Sequence, residues 1–159
     1  MGYTHYFSHK KITKKKWEEI TTDCIKLREN LPKHVLIDGQ NAYPTAKFSG
    51  DIIFFNGTDK GFTQKDHELG KFPENGHETF VLKREGSDDF CKTARKPYDL
   101  MVCACLLVLA HYCPKMHLGS DAMDGNWKPT DGWPKEWKAP TKFVKKILGY
   151  EVTSEEAYK

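Results

Sequence analysis

Apolar residues recur along this chain at two different spacings. From residue 14 onward Trp17, Ile20, Cys24, Leu27 and Leu31 fall three or four apart, the stripe of a helix with one buried face. Thr13 is placed to cap that helix and Pro32 to stop it, which predicts a helix over about 14–30. The run LMVCACLLVLAHYC, residues 100–113, is apolar on nearly every side. It predicts a central buried helix over about 97–112, with Pro97 in its first turn and Pro114 at its end. A third helix is expected over about 140–148, turning Phe143, Val144, Ile147 and Leu148 inward.

Alternating segments mark the strands. GYTHYFSH (2–9) places its polar positions at Thr4, Tyr6 and Ser8. HVLID (34–38), DIIFFNG (51–57), HETFVLKR (77–84) and MHLGSD (116–121) also read as strands. In 77–84 the alternation puts His77 on the same side as Thr79. Asn56-Gly57 reads as a tight turn, 39–50 as a connection and 58–76 as a polar mobile loop placed to cover a site. A turn-rich loop follows at 120–134, and 151–159 reads as a flexible tail. The order β-α-β-β-β-α-β-α predicts an α+β fold in a single domain over 1–150: a small, mainly antiparallel sheet packed on a central apolar helix, with two further helices.

Charge narrows the partners. A formal net charge of +3 over 159 residues is too small for a surface that grips polymeric nucleic acid. The apolar run at 100–113 is shorter than the roughly 20 residues a membrane helix needs, and MGYTHYFSHKK carries no apolar leader. Five cysteines, at 24, 91, 103, 105 and 113, are an odd number and read as reduced thiols. Together these predict a cytoplasmic protein with no membrane partner. A homo-oligomer sharing a pocket across its interface is compatible with all of it.

Locally, charge points to an anion. Lys92, Arg95 and Lys96 stand at the predicted start of the central helix, where unpaired N–H groups and the helix dipole already favour negative charge. Arg offers a two-pronged grip on phosphate and Lys a point charge. Asp99 fits the helix dipole and is placed to pair with Arg95 or a histidine. His5 lies between Tyr3 and Tyr6, a lining suited to a base or ribose, and His77 closes the predicted mobile loop. Lys14, Lys15 and Lys16 sit in the first turn of the first helix, where the dipole disfavours them; the ordinary reading of such a run is a solvated face.

Metal and cofactor are not expected. There is no CxxC or HExxH, and the thiols of Cys103 and Cys105 in CxC should point apart on a helix. Asp121 and Asp124 lack the spacing of a calcium loop. Cys91, beside Lys92 and Arg95, is a candidate nucleophile by charge, with no histidine that sequence can pair to it.

MGYTHY at the start, FNG at 55–57, HETF at 77–80, FCKTARKPYD at 90–99 and GSD at 119–121 resemble a family of small proteins of phage genomes and some bacteria. The chain departs from that pattern at Phe7, where the family carries Trp, and at Ala122, where it carries Gly. The resemblance implies a setting, a host-cell cytoplasm, rather than a mechanism. By analogy it suggests a phage anti-defence protein that sequesters a small phosphorylated nucleotide signal, such as a cyclic ADP-ribose isomer or a cyclic dinucleotide. On that reading His5, Tyr6, His77, Thr79, Lys92, Arg95, Lys96, Tyr98, Asp99 and Asp121 contact the ligand. Two other readings stand beside it. One is a metal-independent phosphodiesterase with His5 and His77 as acid and base and Lys92 on the transition state. The other is a protein-binding inhibitor that docks through the tryptophan loop.

Overall fold

The computed structural model describes residues 2–39 and 45–158. The fold is α+β, with every strand pair antiparallel. Strand β1 (Thr4–His9) is the middle of a three-stranded sheet, flanked by β6 (Ser87–Lys92) and β7 (His117–Ser120). In its register Tyr6 faces Phe90 on one side and Gly119 on the other. A second sheet forms around β4 (Ile52–Gly57). One edge of β4 pairs with β5 (Phe80–Lys83), the other with β2 (Ile37–Asp38) and β3 (Lys47–Ser49).

Helix α1 (Lys14–Glu29) forms where the apolar spacing predicted it, and Thr13 Oγ1 accepts from the Lys16 N–H at 3.3 Å as its cap. Trp17, Ile20, Cys24 and Leu27 are buried along one face. Helix α3 (Asp99–Tyr112) buries ten consecutive residues, Met101 to Ala110. Helix α4 (Lys135–Leu148) begins a turn and a half before the predicted start because it accommodates Pro140 within its first turns. The core runs between α1, α3, α4 and the inner faces of both sheets, with Phe7, Phe55 and Phe80 in ring contact.

Several expectations need correcting. Asn56-Gly57 is no turn: both residues complete β4. The Asn56 side chain is recruited inward, its Oδ1 accepting the N–H groups of Gly57 and His77 and its Nδ2 donating to the His77 carbonyl. Gly57 is needed for close approach, since a Cβ there would overlap the Asn75 carbonyl and the Tyr98 ring. The loop 58–76 contains helix α2 (Gln64–Glu68), held by a reciprocal cap between Thr63 and Asp66. Strand β3 arises within the predicted 39–50 connection, of which 40–44 lie outside the described residues. The predicted strand at 77–84 shortens to 80–83, and β6 was not foreseen. The predicted C-terminal tail folds into α5 (Ser154–Ala157), with Val152, Ser154 and Ala157 buried. Among the described residues no helix is long and apolar enough to cross a membrane.

Candidate functional site

The strand period divides the predicted N-terminal site. Tyr3, His5 and Phe7 point into the core, while Tyr6 lies 48% exposed on the outer face beside Phe90. His5 and Tyr6 therefore cannot line one pocket. His5 is buried, its ring edge-on to both Tyr3 and Trp137. Its Nε2 is 2.6 Å from Asp99 Oδ1 and its Nδ1 2.9 Å from Ser120 Oγ. Asp99 Oδ1 also accepts from Thr93 Oγ1 at 2.6 Å, and the Cys103 thiol lies 3.3 Å from His5 Nε2 and 3.6 Å from Asp99 Oδ2. Ser120 Oγ accepts from Trp137 Nε1 and from the Ala122 N–H. Asp99 thus pairs with a histidine, one of its two expected partners.

Of the three cations of 92–96, Lys92 and Lys96 are half-buried and Arg95 is exposed. The Lys92 side chain lies across Gly2, and its backbone N–H donates to Glu78 Oε2 at 2.7 Å. Arg95 stacks 4.1 Å over the Tyr3 ring and stands 3.9 Å from Glu136. Lys96 is half-buried. The helix begins at Asp99 rather than Pro97, so its own carboxylate occupies the positive end where a ligand was expected. Tyr98 is buried with its hydroxyl donating to the Glu78 carbonyl, away from any ribose. Burial pushes its ionisation well above the usual phenol range.

His77 is exposed, with Nδ1 2.9 Å from the Lys92 carbonyl, and no contact joins it to His5. With Asn56, Phe72, Pro73 and Glu78 it lines a cavity of about 260 Å³. Thr79 Oγ1 accepts from Asn56 Nδ2 at 3.3 Å. Asp121 accepts from the Thr4 N–H and, at 3.5 Å, from the Tyr6 hydroxyl. Cys91 is buried, and desolvation holds its thiol at about 12, which leaves it protonated and unreactive at neutral pH. The loop tryptophans serve packing: Trp137 is buried and stacked on Trp133, whose Nε1 donates to the Val152 carbonyl, and Trp127 rests edge-on against Tyr158.

The site that sequence reasoning missed lies at the other end of β1. A cavity of about 730 Å³ opens between the β1–α1 connection, the start of β6 and the 113–117 segment. Lys10, Lys11, Lys16 and Lys115 line it, together with His9 and His117, against a single acid, Asp88. Thr13, the cap of α1, is also in its wall, so the positive end of a sixteen-residue helix adds to the lysines. Ile12 and Pro114 supply apolar wall, and Ser8, Ser87 and Thr13 supply hydroxyls. His9 Nδ1 contacts the Lys10 carbonyl at 2.7 Å, leaving Nε2 enclosed without a partner. Burial lowers the pKa of His9 from its ordinary 6.5, against the opposing pull of that carbonyl. The signal in the sequence was the run Lys14–Lys16, cations where the helix dipole disfavours them, of which Lys16 lines the cavity.

Comparison with known protein families, with curated proteins and with solved structures gives no match.

Proposed function

We propose that this protein binds a small, multiply charged anion, a phosphorylated nucleotide, in the 730 Å³ cavity at the start of α1. The observation that carries the reading is the charge of the lining: four lysines, of which Lys11 is also 3.6 Å from Glu85, and two imidazoles against one carboxylate. Such crowding of cations is unfavourable unless something negative offsets it. The volume falls within the range of small-molecule sites, and the mixed wall of Ile12, Pro114 and hydroxyls suits a base and a ribose beside the phosphates. Under the family resemblance the ligand is a nucleotide signal, held out of circulation in the host cytoplasm.

Binding is favoured over cleavage. The expected phosphodiesterase needs two imidazoles within hydrogen-bond reach of one reacting group. Its named acid and base are apart: His5 is buried in the core, and His77 lines a different cavity.

A thermal-shift screen against cyclic dinucleotides, ADP-ribose isomers and NAD tests the reading, because a ligand bound to the folded state raises the melting temperature by mass action. The hit is then incubated with protein, released by denaturation and chromatographed. Intact ligand at one equivalent supports sequestration. Product accumulating beyond one equivalent makes the protein an enzyme. A stabilising nucleotide that K16A and K115A bind unchanged moves the site elsewhere.

A further inference from the structure

We propose that His5, Asp99 and Cys103 form a binding site for a borderline-soft divalent transition metal, of which zinc is the natural occupant. One ligand atom from each lies within 4.8 Å of the others. In a tetrahedral zinc site the distances between neighbouring nitrogen, oxygen and sulfur ligands are about 3.3 to 3.6 Å, from metal–ligand bonds of about 2.0 to 2.3 Å. Cys103 Sγ stands at such distances from both partners, 3.3 Å from His5 Nε2 and 3.6 Å from Asp99 Oδ2. The other carboxylate oxygen, Asp99 Oδ1, is 2.6 Å from His5 Nε2, a hydrogen bond that a metal ion replaces as the two groups separate.

The chain places these ligands by secondary structure. Asp99 and Cys103 are one helical turn apart at the start of α3 and so share a face. His5 comes from the inward side of β1. The second layer is also that of a metal site. A ligating histidine normally fixes its other nitrogen on a hydrogen-bonding partner, and His5 Nδ1 is 2.9 Å from Ser120 Oγ, itself held by Trp137 Nε1. Thr93 Oγ1 orients the carboxylate at 2.6 Å.

The thiol discriminates a metal site from a purely hydrogen-bonded knot. A sulfhydryl at 3.3 to 3.6 Å contributes little as a hydrogen bond, and a hydroxyl would serve better there. As a thiolate with imidazole and carboxylate it makes a ligand set suited to zinc. The backbone supports the same conclusion. Ala94 and Arg95, between β6 and Asp99, are held at φ 51° and 58°, a region that side chains other than glycine seldom occupy and that clusters at functional sites. Three protein ligands leave a fourth position, and of the three side chains Asp99 is the one in contact with solvent, at 17% exposed. On binding, the Cys103 proton leaves to solvent and the imidazole proton moves to Nδ1, so the site remains charge-balanced.

The test is titration of the reduced, full-length, metal-stripped protein with cobalt(II), followed by zinc(II). The expected result is a thiolate-to-cobalt charge-transfer band with tetrahedral ligand-field bands, saturating at one equivalent and erased by zinc. In C103S the charge-transfer band disappears while C91S retains it, with far-UV circular dichroism showing that both variants fold. Absence of the band in the wild-type protein, or its survival in C103S, overturns the proposal. The nucleotide-binding reading is scored separately, because K16A and K115A leave the cobalt spectrum unchanged.

Discussion

His5 Nε2 and Asp99 Oδ1 stand 2.6 Å apart, joining the middle of the first strand to the first turn of the central helix. The His5 side chain is completely buried and that of Asp99 partly so, and Ser120, Thr93, Trp137 and Cys103 supply the remaining hydrogen-bonding contacts. Such a network is stable only when complete, because removing one member leaves the others buried and unpaired. H5F keeps an aromatic ring, slightly larger than imidazole, but strands Asp99 and Ser120. It should lower unfolding stability by about 3–5 kcal/mol, the cost of breaking a buried pair. Urea denaturation measures it as a fall in midpoint with an unchanged slope. A loss under about 1 kcal/mol would mean that the pair is idle.

The connection leading into this network carries backbone strain that one substitution should relieve. Ala94 adopts φ 51° directly before Arg95 at 58°. Glycine occupies that region without the Cβ clash, though it loses more entropy on folding. A94G is therefore expected to stabilise the protein by about 0.5–1 kcal/mol. The same urea experiment decides it: destabilisation by A94G would show that the Ala94 methyl has a packing role that outweighs the strain.

The five thiols should differ sharply in reactivity. Cys24, Cys91, Cys103 and Cys105 are buried, and Cys113 is half-buried in the wall of the cationic cavity. Burial raises the pKa of Cys91, Cys103 and Cys113, and for Cys24 the hydrogen bond with Cys105 is the larger cause, ahead of burial. Lys16 partly opposes the shift at Cys113. Ellman's reagent at pH 8 should therefore modify one thiol slowly in the native protein and all five after denaturation. Mass mapping should find the label on Cys113. Occupation of the cavity by a nucleotide should slow that labelling further. Rapid modification of Cys91 in the native state would contradict its burial.

Much of this architecture was legible in the sequence because its signals are local. The cap at Thr13, the apolar stripe of α1 and the all-round burial of α3 follow from spacing alone. The divergence of Cys103 and Cys105 follows from helical geometry, one thiol meeting His5 and the other Cys24. What failed depends on tertiary partners. Asn56 and Gly57 carry turn chemistry, but the Asn56 side chain finds His77 and Gly57 finds the Tyr98 ring, so the strand continues. The candidate site failed for a related reason. Proximity to a helix start does not decide where a cation points, and Arg95 is taken by Tyr3 and Glu136. Lys16 and Lys115 meet only because β1, β6 and the end of α3 converge, which no local pattern encodes.

Anion binding in the cavity should be proton-linked through His9. Burial depresses its folded pKa below 6.5, so between that value and 6.5 the unfolded chain holds the extra proton. The contribution of His9 to stability is thus present above pH 6.5 and is lost as pH falls through the folded value. A bound phosphodiester raises that folded value by favouring the imidazolium, so binding takes up a proton and affinity rises as pH falls below 6.5. Lys10, Lys11, Lys16, Lys115, Asp88 and His117 also face the cavity. Calorimetry with a cyclic dinucleotide, whose phosphates do not titrate there, at pH 5.5, 6.5 and 7.5 should show affinity increasing towards acid. H9Q should reduce the slope. An unchanged slope in H9Q would assign the linkage to another group.

The C-terminal segment should be essential to stability. The Trp133 indole donates to the Val152 carbonyl, and the Ser154 hydroxyl to that of Pro129. The Tyr158 hydroxyl donates to the Leu118 carbonyl and rests against the Met123 sulfur. These bonds pin the tryptophan loop and β7 together, and β7 carries Ser120, the partner of His5. Truncation after Val152 removes the buried Ala157 and the Tyr158 ring and frees the Leu118 and Pro129 carbonyls. Lost burial of an aromatic ring alone is worth about 1.5–3 kcal/mol. The truncated protein should unfold at least ~2 kcal/mol more easily, with Trp127 and Trp133 fluorescence shifted to the red as water reaches them. Wild-type stability and emission after truncation would show that α5 does not cover the loop.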